Sequence, residues 1–251
     1  MIPRVIHYCW FGKNPKSELI NKCIESWKRF CSDFEIKEWN EDNFDLLNSC
    51  AYVKEAYEAR KWAFVSDYVR HHVLNEFGGV YLDTDVELIK PIDGFLTNNF
   101  LALEAVGSIN TGLIMGCEKN MPYCRWMLDS YQKDKFLLPN GEYNTITVCE
   151  RTTKYFMERG FEKKNIIQNI DGFHIYSTEY FCPKDPITFE TNFTENTVSI
   201  HHYGASWCSS EQKEYFEKRA RYVKKVSYNL ASVIAYYQVK KKRYGFLNAM
   251  K

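Results

Sequence analysis

Apolar positions along this chain switch repeatedly between two periods, and the switches outline alternating strands and helices. Residues 4–10 form an apolar, β-rich run that predicts a first strand, followed by a loop with Pro15 and a helix from about Ser17 to Phe30. Residues 34–39 predict a second strand, closed by Trp39-Asn40, and the stretch from Glu41 to about Arg60 reads as helical. From Lys61 onward Trp62, Val65, Val69, Val73 and Phe77 recur at helical spacing, thickened by Tyr68, Leu74 and Val80. Gly78 can take positive φ and stops that helix. An apolar strand then runs to Asp83, and a short one over 86–88 ends before Pro91, which cannot donate to a ladder. Strands over 100–105 and 112–117 flank Asn110-Thr111-Gly112, where a hairpin turn is favoured over a sugar or acceptor contact. Helices near 122–132 and 144–159 follow, then strands around 166–170 and 198–203. This alternation predicts an α/β fold, with no internal repeat and no low-complexity linker.

The strand before Asp83 delivers chemistry. Phe77-Gly-Gly-Val-Tyr-Leu-Asp83-Thr-Asp85 places two carboxylates two residues apart at a strand end, where an extended chain points both to one side. Like charges so close repel unless a cation sits between them. Oxygen ligands on a short loop suit Mn2+ or Mg2+, hard ions that keep open positions for water and diphosphate oxygens. On the preceding helix Asp67 and Arg70 are three apart, so they share a side and can pair, either as a surface salt bridge or over the metal loop.

Ser66-Asp67-Tyr68-Val69-Arg70 together with Phe77-Gly78-Gly79-Val80-Tyr81-Leu82-Asp83-Thr84-Asp85 resembles the S-D-x-x-R … G-G-x-Y-x-D-x-D signature of glycosyltransferases with a DXD sugar-binding region. Those include the family 32 enzymes of polysaccharide, capsule and mannan synthesis, with the glucosylating toxins as more distant relatives. The resemblance implies a GT-A-like fold: one Rossmann-type nucleotide-binding domain with a mixed sheet. It also implies a nucleotide-sugar donor, a divalent metal and retention of anomeric configuration.

Two further segments agree with it. Ile2-Pro-Arg-Val-Ile-His-Tyr-Cys-Trp10-Phe-Gly12 resembles the family's opening strand, whose tryptophan stacks on the donor base; read by itself, Trp10 is a core or surface tryptophan. Val198-Ser-Ile-His201-His202-Tyr-Gly-Ala-Ser206-Trp207 resembles the family's H-x-x-x-S-W ending, in which the histidine completes the metal site. Adjacent strand residues face opposite sides, so only one histidine can face the site, and His202 fits the motif spacing better than His201. The expected set is therefore Asp67, Arg70, Asp83 and Asp85 for catalysis, and Asp83, Asp85 and His202 for the metal. Trp10, Trp39, Asn40, Tyr81, Ser206 and Trp207 are expected around the donor.

Composition adds bounds. At 251 residues and 45% hydrophobic the chain can bury a substantial core. It has no run of about 18 apolar residues and no signal-type apolar segment. Its nine cysteines are odd in number and include no Cys-x-x-Cys pair, so reduced thiols in a cytoplasmic protein are expected. Residues 211–251 stand apart. They carry 11 Lys and Arg against three Glu, a net +8, which leaves −7 for the first 210 residues of a chain whose total is +1. Phe216, Val223, Val226, Leu230, Val233, Ile234 and Tyr237 recur there at helical spacing. The division expected is a catalytic domain over 1–210 and a basic amphipathic helical tail over 211–251. The tail either packs on the domain or lies on the anionic inner face of a membrane. A nucleic-acid reader is excluded by the acidic body and the lack of a recognised motif.

The activity expected is metal-dependent transfer of a hexose, galactose or glucose, from a nucleotide sugar to a glycan or lipid-linked acceptor of polysaccharide synthesis. By analogy UDP-hexose is favoured over GDP-mannose. Asp83 is expected on the ribose or on a metal-bound water, with Asp67 and Arg70 fixing the sugar hydroxyls. No residue is identifiable as an enzymatic nucleophile, so a same-face attack is the expected route to retention. Two alternatives stand beside it: a phosphatase with an aspartyl nucleophile in a D-x-D motif, and a non-catalytic carbohydrate- or membrane-surface-binding module.

Overall fold

The computed structural model describes residues 1–204 and 210–244. The chain divides into two compact units, the first comprising Met1–Pro183 and Phe193–His202, the second Lys184–Asn192 and Tyr203–Lys251.

The first unit opens with β1 (Val5–Cys9), α1 (Glu18–Phe30) and β2 (Glu35–Trp39). Ser17 caps α1 by accepting from the Ile20 amide at 3.4 Å, and the helix buries Ile20, Cys23, Ile24 and Trp27, one apolar stripe. Next come α2 (Ala51–Glu58) and α3 (Trp62–Phe77). The helix expected over 41–60 is thus confined to its second half. Asparagine and aspartate side chains replace helical bonding before it: Asn43 Oδ1 accepts from the Asn40 amide, Asn40 Oδ1 from Asp42, and Asp45 Oδ1 from Asn48. Such local side-chain acceptors compete with the helix and favour turns.

Helix α3 buries Val65, Val69, Val73 and Leu74 and ends at Gly78, with φ 66°. Gly79 follows at φ 105°, where a Cβ would sit 2.8 Å from the Val5 carbonyl oxygen. The glycine pair therefore both reverses the chain and lets β3 (Gly79–Tyr81) lie against β1. Then come β4 (Val86–Leu88), a 3-10 turn over Asp93–Phe95, β5 (Asn99–Ala105), β6 (Ser108–Ile109) and β7 (Met115–Cys117). The strand expected from 112 begins only at 115, because Asn110 Oδ1 accepts from the Gly112 and Leu113 amides and holds a turn. The unit continues with α4 (Pro122–Lys133) and α5 (Val148–Met157), the latter starting in a capping box between Thr147 and Glu150. It closes with β8 (Gln168–Ile170), β9 (Phe173–Tyr176), α6 (Thr178–Phe181) and β10 (Ser199–His201).

The main sheet runs β2-β1-β3-β7-β5-β9-β8, with β6 alongside β5. It is mixed: β1 is parallel to β2 and β3, β7 is antiparallel to β3 and β5, and β9 is parallel to β5. The α/β class and mixed sheet expected from the sequence are present. Strands β4 and β10 form a separate antiparallel ribbon with His201 opposite Val86.

The second unit contains two helices, α7 (Ser210–Val223) and α8 (Tyr228–Tyr244). Among the described residues no helix is long and apolar enough to cross a membrane, and the eight described cysteines are free thiols.

Candidate active site

The acidic loop is assembled by a turn, not by strand alternation. Strand β3 stops at Tyr81, the Asp83 amide donates to the Gly112 carbonyl at 2.8 Å, and the Val86 amide donates back to the Asp83 carbonyl at 3.0 Å. Strand β4 is anchored to α1, with Trp27 Nε1 donating to the Val86 carbonyl at 2.7 Å and the Leu88 amide to Ser26 Oγ at 2.9 Å. The ribbon then brings β10 alongside, and the His202 amide donates to the Asp85 carbonyl at 3.0 Å.

One consequence is that Asp83, Asp85 and His201 each offer a ligand atom within 4.8 Å of the others. An ion about 2.1–2.2 Å from every ligand needs those atoms within about 4.4 Å of one another, a difference that small side-chain rotations close. Two carboxylates and one imidazole suit Mn2+ or Mg2+. The strand alternation that admits one histidine selects His201: its Nε2 lies 3.3 Å from Asp85 Oδ1, and its Nδ1 lies 3.7 Å from Glu104 Oε1. His202, preferred from motif spacing, turns instead to Glu87, with Nε2 2.7 Å from Oε2. Glu87 also accepts from Lys22 at 2.8 Å. Burial alone would strip the proton from His201, but Asp85, Cys182 and Glu104 together hold its pKa well above the ordinary value. A bound cation would displace that proton.

Asp67 and Arg70 do not form a surface salt bridge. Both are buried, and Arg70 Nη2 lies 2.9 Å from Asp67 Oδ1 and 3.1 Å from Asp83 Oδ1. Arg70 also reaches Thr111 Oγ1 at 3.5 Å and covers the Tyr81 ring at 4.7 Å. Its guanidinium thus ties the helix to the acidic loop. Burial pushes the Asp67 carboxyl up to about 6; Arg70 opposes this and Asp83 adds to it. Arg70 itself resists burial and stays charged beside Asp83, Tyr81 and Asp67.

Gly112, expected in a hairpin turn more than in a sugar or acceptor contact, bounds the site. A Cβ there would stand 1.9 Å from Asp83 Oδ2 and 2.5 Å from Arg70 Nη1. Only a residue without a side chain lets this backbone pass behind the carboxylate.

Residues 17–104, from α1 through the acidic loop to β5, match the family model described as "Glycosyltransferase sugar-binding region containing DXD motif". The match covers about a third of the chain. An uncharacterized glycosyltransferase of Acanthamoeba polyphaga mimivirus is 28% identical over 153 residues, 57% of this chain. The alignment spans only 59% of that relative. Among solved structures, the PaToxG glycosyltransferase superposes with a TM-score of 0.45 at 18% identity, over 61% of this chain and 66% of its own. A glycosyltransferase involved in glycosylation of the major capsid of PBCV-1 superposes with a TM-score of 0.47 at 16% identity, over 86% of this chain and 99% of its own.

Within this matched segment and the strand before it, the residues expected around a donor separate. Trp10 and Asn40 line a cavity of about 280 Å³ with Lys13, Lys16, Glu38 and Asp42, at the carboxyl ends of β1 and β2. Trp10 Nε1 donates to the Asn14 carbonyl at 2.7 Å, and Lys16 Nζ lies over the indole, 5.7 Å from its centre. Trp39 is elsewhere. It is buried, donates from Nε1 to His7 Nδ1 at 3.1 Å and stacks on Phe77 with ring centres 5.6 Å apart. His7 in turn donates from Nε2 to the Gly78 carbonyl at 2.9 Å, so Trp39 braces the glycine pair. Tyr81 is fully buried beneath Arg70 and supports the guanidinium. Ser206 and Trp207 lie outside the described residues.

Proposed function

We propose that this chain transfers a hexose, with retention, from a nucleotide sugar to a glycan or lipid-linked acceptor in surface-polysaccharide synthesis. The observation that carries this reading is the convergence of Asp83, Asp85 and His201 beside the buried Arg70–Asp67 pair, within a region matching DXD glycosyltransferases. Asp83, Asp85 and His201 would hold Mn2+ or Mg2+, which when bound neutralises charge on a diphosphate leaving group.

The chain's own residues do the rest. Arg70 fixes Asp83 by a charge-assisted hydrogen bond, so that the carboxylate is oriented before a donor arrives. Asp67, buried behind it, keeps the guanidinium from drifting toward the leaving group. The cavity beside Trp10 offers a stacking face for the base and Asn40 for its polar edge, which suits a flat nucleobase such as uracil. UDP-glucose or UDP-galactose is the donor favoured, and the acceptor hydroxyl attacks from the face the diphosphate leaves.

The test is a screen of UDP-hexoses and GDP-mannose for Mn2+-dependent sugar release, with simple phosphate esters run in parallel. Turnover of one nucleotide sugar, lost on chelation, is expected. Turnover of phosphate esters alone would instead establish the phosphatase reading. Product analysis showing an inverted linkage would remove the same-face attack.

A further inference from the structure

The second unit carries a surface that the proposed chemistry leaves unused. Helix α8 buries Ala231, Ala235 and Val239, which recur every four residues and form one stripe; on α7 the buried residue is Ala220. Small residues on these buried faces let two helices approach closely. On the opposite side of α8, Leu230, Val233 and Tyr236 stand 48%, 64% and 56% exposed over two successive turns.

Charge around this face is one-sided. Of the three glutamates in residues 211–251, Glu211 is engaged by Lys240 at 2.9 Å, and Glu214 by Lys242 at 3.1 Å and Lys218 at 3.6 Å. Those pairs lie within the helical hairpin and lock it. Arg221 and Lys225 add exposed positive charge outside those pairs.

We propose that the Leu230–Val233–Tyr236 face of α8 docks on an anionic lipid bilayer, lying in the interface plane with its basic residues among the headgroups. An amphipathic helix with aliphatic and tyrosine side chains on one face and lysines beside it has the chemistry this requires. Charge decides against a second copy of this chain seated there, since it would bring another +8 segment against the first. A bilayer with acidic headgroups is complementary instead, and each basic residue near it adds to the attraction. The proposal concerns where the protein works, and stands apart from which sugar it transfers.

Vesicle flotation of the full chain tests it without donor or metal, so its outcome does not depend on activity. Phosphatidylcholine vesicles with a third of their lipid replaced by phosphatidylglycerol should carry the protein to the top of the gradient at low salt. Pure phosphatidylcholine vesicles should carry at least about tenfold less, and high salt should weaken the anionic binding. Val233→Glu sits at an exposed position and should lower binding about tenfold with an unchanged circular dichroism spectrum. Arg221→Glu with Lys225→Glu should do so through charge alone, as a second variant independent of the apolar face. Equal binding to both lipids, or a Val233→Glu protein that floats like the parent, overturns the proposal. So does a dimer in sedimentation velocity that Val233→Glu dissociates, which would assign the face to a second copy.

Discussion

Gly112→Ala probes the acidic loop at the point where backbone and carboxylate are closest. The added methyl would meet Asp83 Oδ2 at 1.9 Å and Arg70 Nη1 at 2.5 Å. An ordinary contact is about 3.4 Å or more, so the carboxylate must withdraw by about 1.5 Å or the turn must open. Neither partner can yield freely. Asp83 is held by Arg70, Arg70 by Asp67 at 2.9 Å, and the Gly112 carbonyl by the Asp83 amide. Overpacking of this kind typically costs about 1–3 kcal/mol, and a displacement near 1 Å at a reacting centre lowers turnover about a hundredfold. The assays are urea unfolding, Mn2+ titration calorimetry and nucleotide-sugar turnover on the same preparation. The expected result is a modest loss of stability with a far larger loss of metal affinity and turnover. Parental metal affinity and turnover in the alanine variant would refute the placement of Gly112 against the site.

Three further outcomes are expected. His201→Ala should weaken Mn2+ binding at least about tenfold, whereas His202→Ala, which removes a partner of Glu87, should leave it within about twofold; the reverse order in calorimetry would reassign the ligand. Glu104→Gln keeps shape but removes the charge facing His201 Nδ1, so Mn2+ affinity should fall about tenfold; an unchanged affinity would show that Glu104 does not orient the imidazole. Acid should destabilise the metal-free protein before any carboxylate network fails. Burial lowers His7 to about 4 and His71 to about 3, so both stay neutral when folded. Their contribution is complete above the unfolded pKa of about 6.5 and is lost as pH falls toward those values, about 2 kcal/mol each at pH about 5. Asp67, raised to about 6, works in the opposite direction by about 1.4 kcal/mol, because its folded carboxyl holds a proton that the unfolded one releases. His201, protonated in the fold throughout this range, also works against the loss as the unfolded imidazole titrates, which leaves a net loss of about 2 kcal/mol between neutral pH and about pH 5. Urea midpoints that stay flat or rise over that interval would contradict the buried neutral histidines.

Elements with a full period were readable from the residues. Helix α1, with Ser17 before it and its apolar stripe, and α3, with valines every four residues and Gly78 after it, lie close to where periodicity puts them. The acidic loop was equally visible, because its residues are contiguous. What escaped was long-range or locally overridden. The Asn and Asp side chains of 40–48 hold turns that apolar counting cannot register. Strand β9 and helix α6 are four residues each, too short for a periodic signal. The choice between His201 and His202 depends on the register of β10 against β4, which no local pattern fixes. Trp39 looked like a nucleotide contact because it ends a strand, but the His7 imidazole draws its indole inward. Gly112 and Glu104 enter the site only once β5 and the turn before β7 come alongside the acidic loop.

The ribbon of β4 and β10 stands apart from the eight-stranded sheet and rests on three residue pairs. The imidazole is therefore delivered by a small clasp, whereas the aspartate at position 83 is tethered to the rigid interior. Unfastening that clasp exposes few backbone amides and leaves the main sheet intact, so the imidazole can depart and return on a faster clock than global unfolding. Hydrogen exchange at the His202 amide, compared with that at Tyr81, would time this opening directly, and metal should slow the first much more than the second.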